Sequence, residues 1–301
     1  MSLLYFFVKN DAPILKGDVK YGIPFNKEQT LDIYFPTSQL DEFSPVIVFI
    51  HGGAWIAGRK ESINLNRFNG CINALREQGY TVITPSYTLA RKGKSPFPQS
   101  IIDVFESLNW IKENANLYNF DVNNIGVFGE SAGAHLAMLV SYAKPSAFNL
   151  NLDYIPIRYV VDVYGPSHLE SLYMSQTTDS LKSVLYKLPE GLREFADISE
   201  VLIGFDPKKY PQKASDIMNL YSPLNYLEKD LSPTLIIHGD ADIVVPIDQS
   251  LLLKNGLDKF SIENQLHIVT QSNHGFIGAT DVQKDSIQQW IAEFIIEHHA
   301  Y

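Results

Sequence analysis

Three separated stretches carry residue types that together can cleave an acyl bond. The first is Gly129-Glu130-Ser131-Ala132-Gly133, a serine with a glycine two residues to either side. A serine hydroxyl is a weak nucleophile. It needs a general base within hydrogen-bond reach, and the base needs a carboxylate to hold its tautomer. His238-Gly239-Asp240-Ala241-Asp242 follows an apolar run and offers two aspartates, either of which can be the acid. Ser272-Asn273-His274-Gly275-Phe276 supplies a histidine placed on a turn by the glycine after it. Serine, acid, histidine is one of the known chain orders for such a triad.

The tetrahedral intermediate of acyl transfer carries a negative oxygen that must meet preorganised donors. The backbone N–H of Ala132, next to the nucleophile, is one. The loop His51-Gly52-Gly53-Ala54-Trp55 follows an apolar strand and supplies others, Gly53 and Ala54. Gly52 and Gly53 let the chain come close to a substrate, and Gly52, Trp55 and Glu130 are expected beside it. Of the remaining histidines, His51 is expected to order the glycine loop and His135 to pack within its helix. No H-x-x-x-H or H-E-x-x-H spacing occurs, and Cys71 is the single cysteine, so no metal site is expected. The phosphate-binding glycine patterns are missing as well, and no cofactor is expected.

These residues need elements to hold them. Val46–Ile50, Thr81–Pro85, Ile125–Phe128, Tyr159–Tyr164, Thr234–His238 and Leu266–Thr270 read as apolar strands. Between them, Ser62–Gln78, Pro98–Tyr118, Asp248–Leu257 and Asp281–His298 have helical spacing. Asp18–Ile23 and Thr30–Phe35 read as an antiparallel edge. Strand and helix alternate, which predicts a mostly parallel sheet of about eight strands with helices on both faces. The alternation fails over residues 165–226, read as a helical lid inserted in a single domain spanning 1–301, with residues 1–15 a second candidate covering segment.

The chain of 301 residues is long enough for one large α/β core. A net charge of −10 argues against nucleic acid and anionic membranes as partners. No stretch approaches the length of an apolar membrane span. The apolar run Leu3–Val8 lacks the flanks of a signal peptide, and one cysteine calls for no oxidising compartment, so a cytoplasmic location is expected.

The glycine loop, the serine turn, the run His238–Pro246 and Asn273-His274-Gly275-Phe276 together resemble the α/β-hydrolase fold, and within it the esterases similar to hormone-sensitive lipase. The H-G-G-x-W form of the loop is also similar to the kynurenine formamidase and the acetyl-xylan/feruloyl esterase branches. The resemblance implies Ser131 as nucleophile, His274 as base, Asp242 as the acid and Gly53, Ala54 and Ala132 as the oxyanion hole. It implies a serine carboxylesterase acting on small-molecule esters. The stretch 165–226, rich in Tyr and Leu and read as a lid that limits depth, adds an expected preference for acetyl to butyryl groups, and a homodimer is the expected assembly. An arylformamidase or amidase on the same triad is the alternative. A non-catalytic binding protein of this fold is the reading from another class.

Overall fold

A computed structural model describes residues 18–38, 41–65, 67–91, 93–173 and 198–299. The strands are β1 (Val19–Pro24), β2 (Thr30–Tyr34), β3 (Ser44–Ile50), β4 (Thr81–Pro85), β5 (Phe120–Glu130), β6 (Val160–Val163), β7 (Thr234–Gly239) and β8 (Asn264–Val269). They form one eight-stranded sheet in the order β1-β2-β4-β3-β5-β6-β7-β8. β1–β2 and β2–β4 pair antiparallel, and every other neighbouring pair is parallel. This is the α/β-hydrolase fold, with the antiparallel edge where the alternation of Leu31, Ile33 and their polar neighbours puts it.

The helices are α1 (Asn69–Glu77), α2 (Gln99–Glu113), α3 (Ala115–Tyr118), α4 (Ala132–Tyr142), α5 (Leu169–Tyr173), α6 (Ile198–Ile203), α7 (Pro211–Leu220), α8 (Asp248–Lys259) and α9 (Asp281–Glu297). They cover the sheet from both sides, which is why β3 is apolar without alternation. Val46, Val48 and Ile50 join a core with Ile101 of α2, Leu136 of α4 and Leu253 of α8. Ile47 and Phe49 join a second core with Ile72 of α1 and Ile291 of α9. Burying each such side chain stabilises the fold by roughly 1.5–3 kcal/mol. α4 is buried at every position, so the segment behind the serine is fixed on all sides.

Two expected helices are divided. Ser62–Gln78 becomes a 3-10 turn over Lys60–Leu65 followed by α1. Phe68, Ile72 and Leu75 share one helical face, but Ile63 does not lie on it at 100° per residue. All four are fully buried, which only a break between Ile63 and Phe68 permits. The stretch Pro98–Tyr118 is interrupted at Asn114, whose side-chain amide donates back to the Trp110 carbonyl at 2.9 Å.

Residues 174–197, the middle of the expected lid, and residues 1–15 lie outside the described residues. Among the described residues no helix is long and apolar enough to cross a membrane. Because β3, β5, β6, β7 and β8 are parallel, their C-terminal ends share one edge of the sheet, and the loops leaving that edge carry every chemistry-bearing stretch named above.

Candidate active site

β5 ends at Glu130 and α4 begins at Ala132, so Ser131 alone makes the turn, at φ 52° and ψ −121°. A non-glycine residue in such a conformation costs on the order of 1–3 kcal/mol and needs support. The support is a bond from its N–H to the Val163 carbonyl of β6 at 2.9 Å and the packing of the flanking glycines. A Cβ on Gly133 would stand 2.1 Å from the Ile50 carbonyl oxygen of β3, and one on Gly129 2.4 Å from Gly133 itself. Only hydrogen atoms at both positions let strand and helix approach closely enough to project the hydroxyl from the edge.

His274 Nε2 lies 3.0 Å from Ser131 Oγ, and His274 Nδ1 lies 2.7 Å from Asp242 Oδ2. An ionised carboxylate only accepts, so Nδ1 carries the proton and Nε2 presents its lone pair to the serine hydroxyl. Asp242 Oδ1 accepts from the Val244 and Val245 N–H groups at 2.8 and 2.9 Å. Burial would raise the Asp242 pKa, but His274 and His238 outweigh it and hold the carboxyl well below its ordinary value. Asp240, two residues earlier, is exposed and accepts from the Gln271 N–H at 2.6 Å instead. Asn273 ties the acid and histidine loops together, its Oδ1 accepting from Ile243 N at 3.1 Å and His274 N at 2.7 Å.

Sequence reasoning missed a second imidazole on the acid. His238 is fully buried. Its Nε2–H donates to the Val245 carbonyl at 2.8 Å and faces Asp242 Oδ2 at 3.3 Å, while Nδ1 accepts from Ser250 Oγ at 2.6 Å. The signal was available: a histidine closing the buried run Thr234–Ile237 needs partners for both ring nitrogens. Next to it on β6, Asp162 is also fully buried, and burial raises its pKa to about 7, against a smaller lowering by His238. Its Oδ1 accepts from Gly165 N at 2.8 Å. The folded pKa lies above the unfolded value of about 4. The stability of the protonated form is therefore complete below about pH 4 and is lost as pH rises through 7. Relative to Asp162→Asn, the wild type should lose up to about 4 kcal/mol between pH 4 and pH 8. Urea midpoints of both proteins across that range check it; parallel curves would refute the assignment.

The glycine loop is set against the serine turn. Gly53 has φ 126°, which favours glycine, and its carbonyl accepts from Ile56 and Ala57 N at 3.1 and 3.0 Å. Ala54 and Trp55 also have positive φ, at 53° and 58°. The loop is held from below: His51 stacks on Tyr87 at 4.3 Å, and Tyr87 Oη donates to the His51 carbonyl at 2.8 Å. Burial lowers the His51 pKa to about 4, so the ring is neutral near pH 7. Among the described residues, the N–H groups of Gly53 and Ala54 donate to no protein acceptor, and Ala132 N opens α4, where helices leave donors unpaired.

The remaining expected site residues are differently placed. Gly52 abuts the turn, where an added Cβ would be 3.0 Å from the Glu130 carbonyl oxygen. Trp55 is turned inward, its ring 5.0 Å from that of His135 and 5.9 Å from that of Phe97. His135 Nε2–H donates to the Tyr221 carbonyl at 2.7 Å. Glu130 Oε2 accepts from Tyr164 Oη at 2.8 Å and lies 3.7 Å from Arg67. Neither side chain points freely into solvent. Among the described residues no cluster of three or more His, Cys, Asp or Glu is placed to hold a metal ion.

The BD-FAE profile matches residues 31–257, three quarters of the chain and all of the sheet from β2 to β7. The chain belongs to the BD-FAE family. It is similar to esterase LipC of Mycobacterium tuberculosis, 24% identical over 83% of this chain and 55% of LipC. It is also similar to the probable carboxylic ester hydrolase LipM of the same organism, 25% identical over 94% of this chain and 62% of LipM. The chain thus spans little more than half the length of these curated relatives. Among solved structures, a truncated carbohydrate esterase from gut microbiota superposes with a TM-score of 0.71 at 24% identity, covering 97% of this chain and 99% of that one. The fold of this BD-FAE member is therefore shared along nearly its whole length with that enzyme.

Proposed function

We propose that the protein is a serine carboxylic ester hydrolase acting on short-chain acyl esters of small molecules. The observation that carries the reading is the continuous chain Ser131 Oγ–His274 Nε2, 3.0 Å, and His274 Nδ1–Asp242 Oδ2, 2.7 Å. Its similarity to LipC and LipM, both named for ester hydrolysis, supports it. Ser131 Oγ attacks the acyl carbon as His274 Nε2 takes its proton. The carbonyl oxygen becomes negative and is met by the N–H groups of Gly53, Ala54 and Ala132. Asp242 stabilises the imidazolium and keeps its orientation. His274 then gives the proton to the departing alcohol, leaving an acyl-serine. Water, deprotonated by the same histidine, releases the acid and restores Ser131. Gly52 approaches the substrate through its backbone, and Trp55 and Glu130 act through the loop and turn they brace. The sequence needs no cofactor for these steps.

Acyl length is read from the stretch 165–226, proposed as a lid. Its ends are joined by a bond from Leu224 N to the Ser167 carbonyl at 3.0 Å. Tyr221 rests on Phe97 at 4.7 Å between ring centres. A lid so anchored supports a shallow, water-excluding pocket. Across p-nitrophenyl esters, kcat/KM should peak between acetate and butyrate and fall at about ten carbons or more. A value that climbs through dodecanoate overturns the short-chain reading, and anilides turned over faster than matched esters would replace the esterase by an amidase. A homodimer and a cytoplasmic location belong to the same reading. β8 is an outer strand with Ile268 exposed, which suits edge pairing. A monomer mass by light scattering removes the dimer.

A further inference from the structure

Tyr164 follows β6 directly and has φ 43°, a left-handed conformation that a bulky side chain adopts only under constraint. The constraint is a bond from its N–H to the Ile237 carbonyl of β7 at 2.9 Å. The turn lays the phenol ring against the site rather than letting it follow the strand's alternation. Its centre lies 4.6 Å from that of His274 at 57°, 5.0 Å from Phe276 and 6.4 Å from His238. The ring is buried at 1% exposure. Its hydroxyl donates to Glu130 Oε2 at 2.8 Å and accepts from the Arg67 guanidinium. Arg67 in turn faces Glu130 at 3.7 Å and lies 5.8 Å over the Phe276 ring. Burial, opposed by Arg67, leaves the phenol's pKa well above its ordinary value, so it remains a neutral donor.

We propose that Tyr164 is a positioning residue for the base: its ring is the wall that fixes the plane of His274, and Glu130 with Arg67 clamps the phenol in place. The inference rests on the esterase reading above. A tilt of the imidazole about the line from Nδ1 to Asp242 would carry Nε2 off the serine hydroxyl, 3.0 Å away. The Tyr164 ring, packed against the imidazole at 4.6 Å and 57°, opposes that tilt. Glu130, the residue beside the nucleophile, thereby acts on the base rather than on the substrate. Serine turn and histidine loop are joined through one phenol, so a shift of either is felt by the other. The effect belongs to proton transfer, and it should appear in kcat and leave KM nearly unchanged.

The experiment is steady-state hydrolysis of p-nitrophenyl acetate by the full chain and by Tyr164→Leu, Tyr164→Phe, Glu130→Ala and the Tyr164→Phe/Glu130→Ala double variant. A fluorophosphonate mass shift on Ser131 is followed in each. Tyr164→Leu should lose roughly 10²-fold in kcat with KM within about threefold, and Tyr164→Phe, which keeps the wall, no more than about tenfold. The double variant should be no slower than the slower of the two singles, since Tyr164→Phe already removes the bonds to both Glu130 and Arg67. Tyr164→Leu with wild-type kcat overturns the proposal, as does Tyr164→Phe being as slow as Tyr164→Leu, or losses that multiply in the double variant. If Tyr164→Leu does not fold, the Tyr164→Phe/Glu130→Ala cycle alone decides, since multiplying losses overturn the clamp. A wild type that neither hydrolyses the ester nor labels at Ser131 condemns the esterase reading itself, an outcome distinct from all of these.

Discussion

Asp242→Asn is expected to lower kcat by roughly 10⁴-fold while leaving the fold intact. Asp242 Oδ1 accepts from the Val244 and Val245 N–H groups at 2.8 and 2.9 Å, so an asparagine there must put its oxygen in that position. Its NH₂ then occupies the place of Oδ2, 2.7 Å from His274 Nδ1. An amide nitrogen only donates, so Nδ1 is forced to accept and the ring proton moves to Nε2. There it faces Ser131 Oγ, and the base is blocked by its own proton. Asp240→Asn should cost no more than about tenfold, because its carboxylate serves the Gln271 N–H and the oxygen of asparagine can do the same. The kcat values of the two variants, with circular dichroism as a check on folding, test the pair. The reverse order would show the wrong carboxylate has been assigned.

Ser131→Ala should abolish fluorophosphonate labelling and lower hydrolysis by roughly 10³-fold or more. The residue sits at φ 52° in a turn held by the Val163 carbonyl and by the absence of side chains at Gly129 and Gly133. Alanine can take the same backbone position and lacks only the hydroxyl, so the loss reads the chemistry and not the fold. On the proposed mechanism the residual rate is what the Gly53, Ala54 and Ala132 donors supply without a nucleophile. Mass spectrometry of the labelled wild type should find a single modified peptide containing Ser131. Label retained in the alanine variant would move the nucleophile elsewhere.

Local features were legible from residue types alone. The serine turn is legible because its glycines stand at fixed places within five residues, Gly129 to Gly133, although the clash that Gly133 avoids is with Ile50 of β3. The buried strands are legible because β3 and β7 are apolar on both faces, a pattern with one physical cause in a covered parallel sheet. Helix ends were less so. Ile63 and Phe68 both look like members of one apolar run, but a straight helix cannot turn both into the second core, and the chain breaks between them.

The sequence by itself thus determined the fold class and the order in which Ser131, Asp242 and His274 come to one edge of the sheet. The tertiary structure decided which way each polar side chain faces. Asp240 and Asp242 are chemically identical and two residues apart; the Val269 and Ser272 carbonyls, accepting from Asp240 N and Ala241 N at 3.1 Å, turn one toward Gln271 and the other toward His274. Glu130 is expected beside the substrate, yet Tyr164 and Arg67 hold its carboxylate, and His238 looks like the end of a strand, yet it faces Asp242. Each of these outcomes depends on groups brought together from different strands and loops. A buried donor or acceptor must find a partner, and which partners lie within 3 Å is settled by the packing of the sheet and not by any stretch of neighbouring residues.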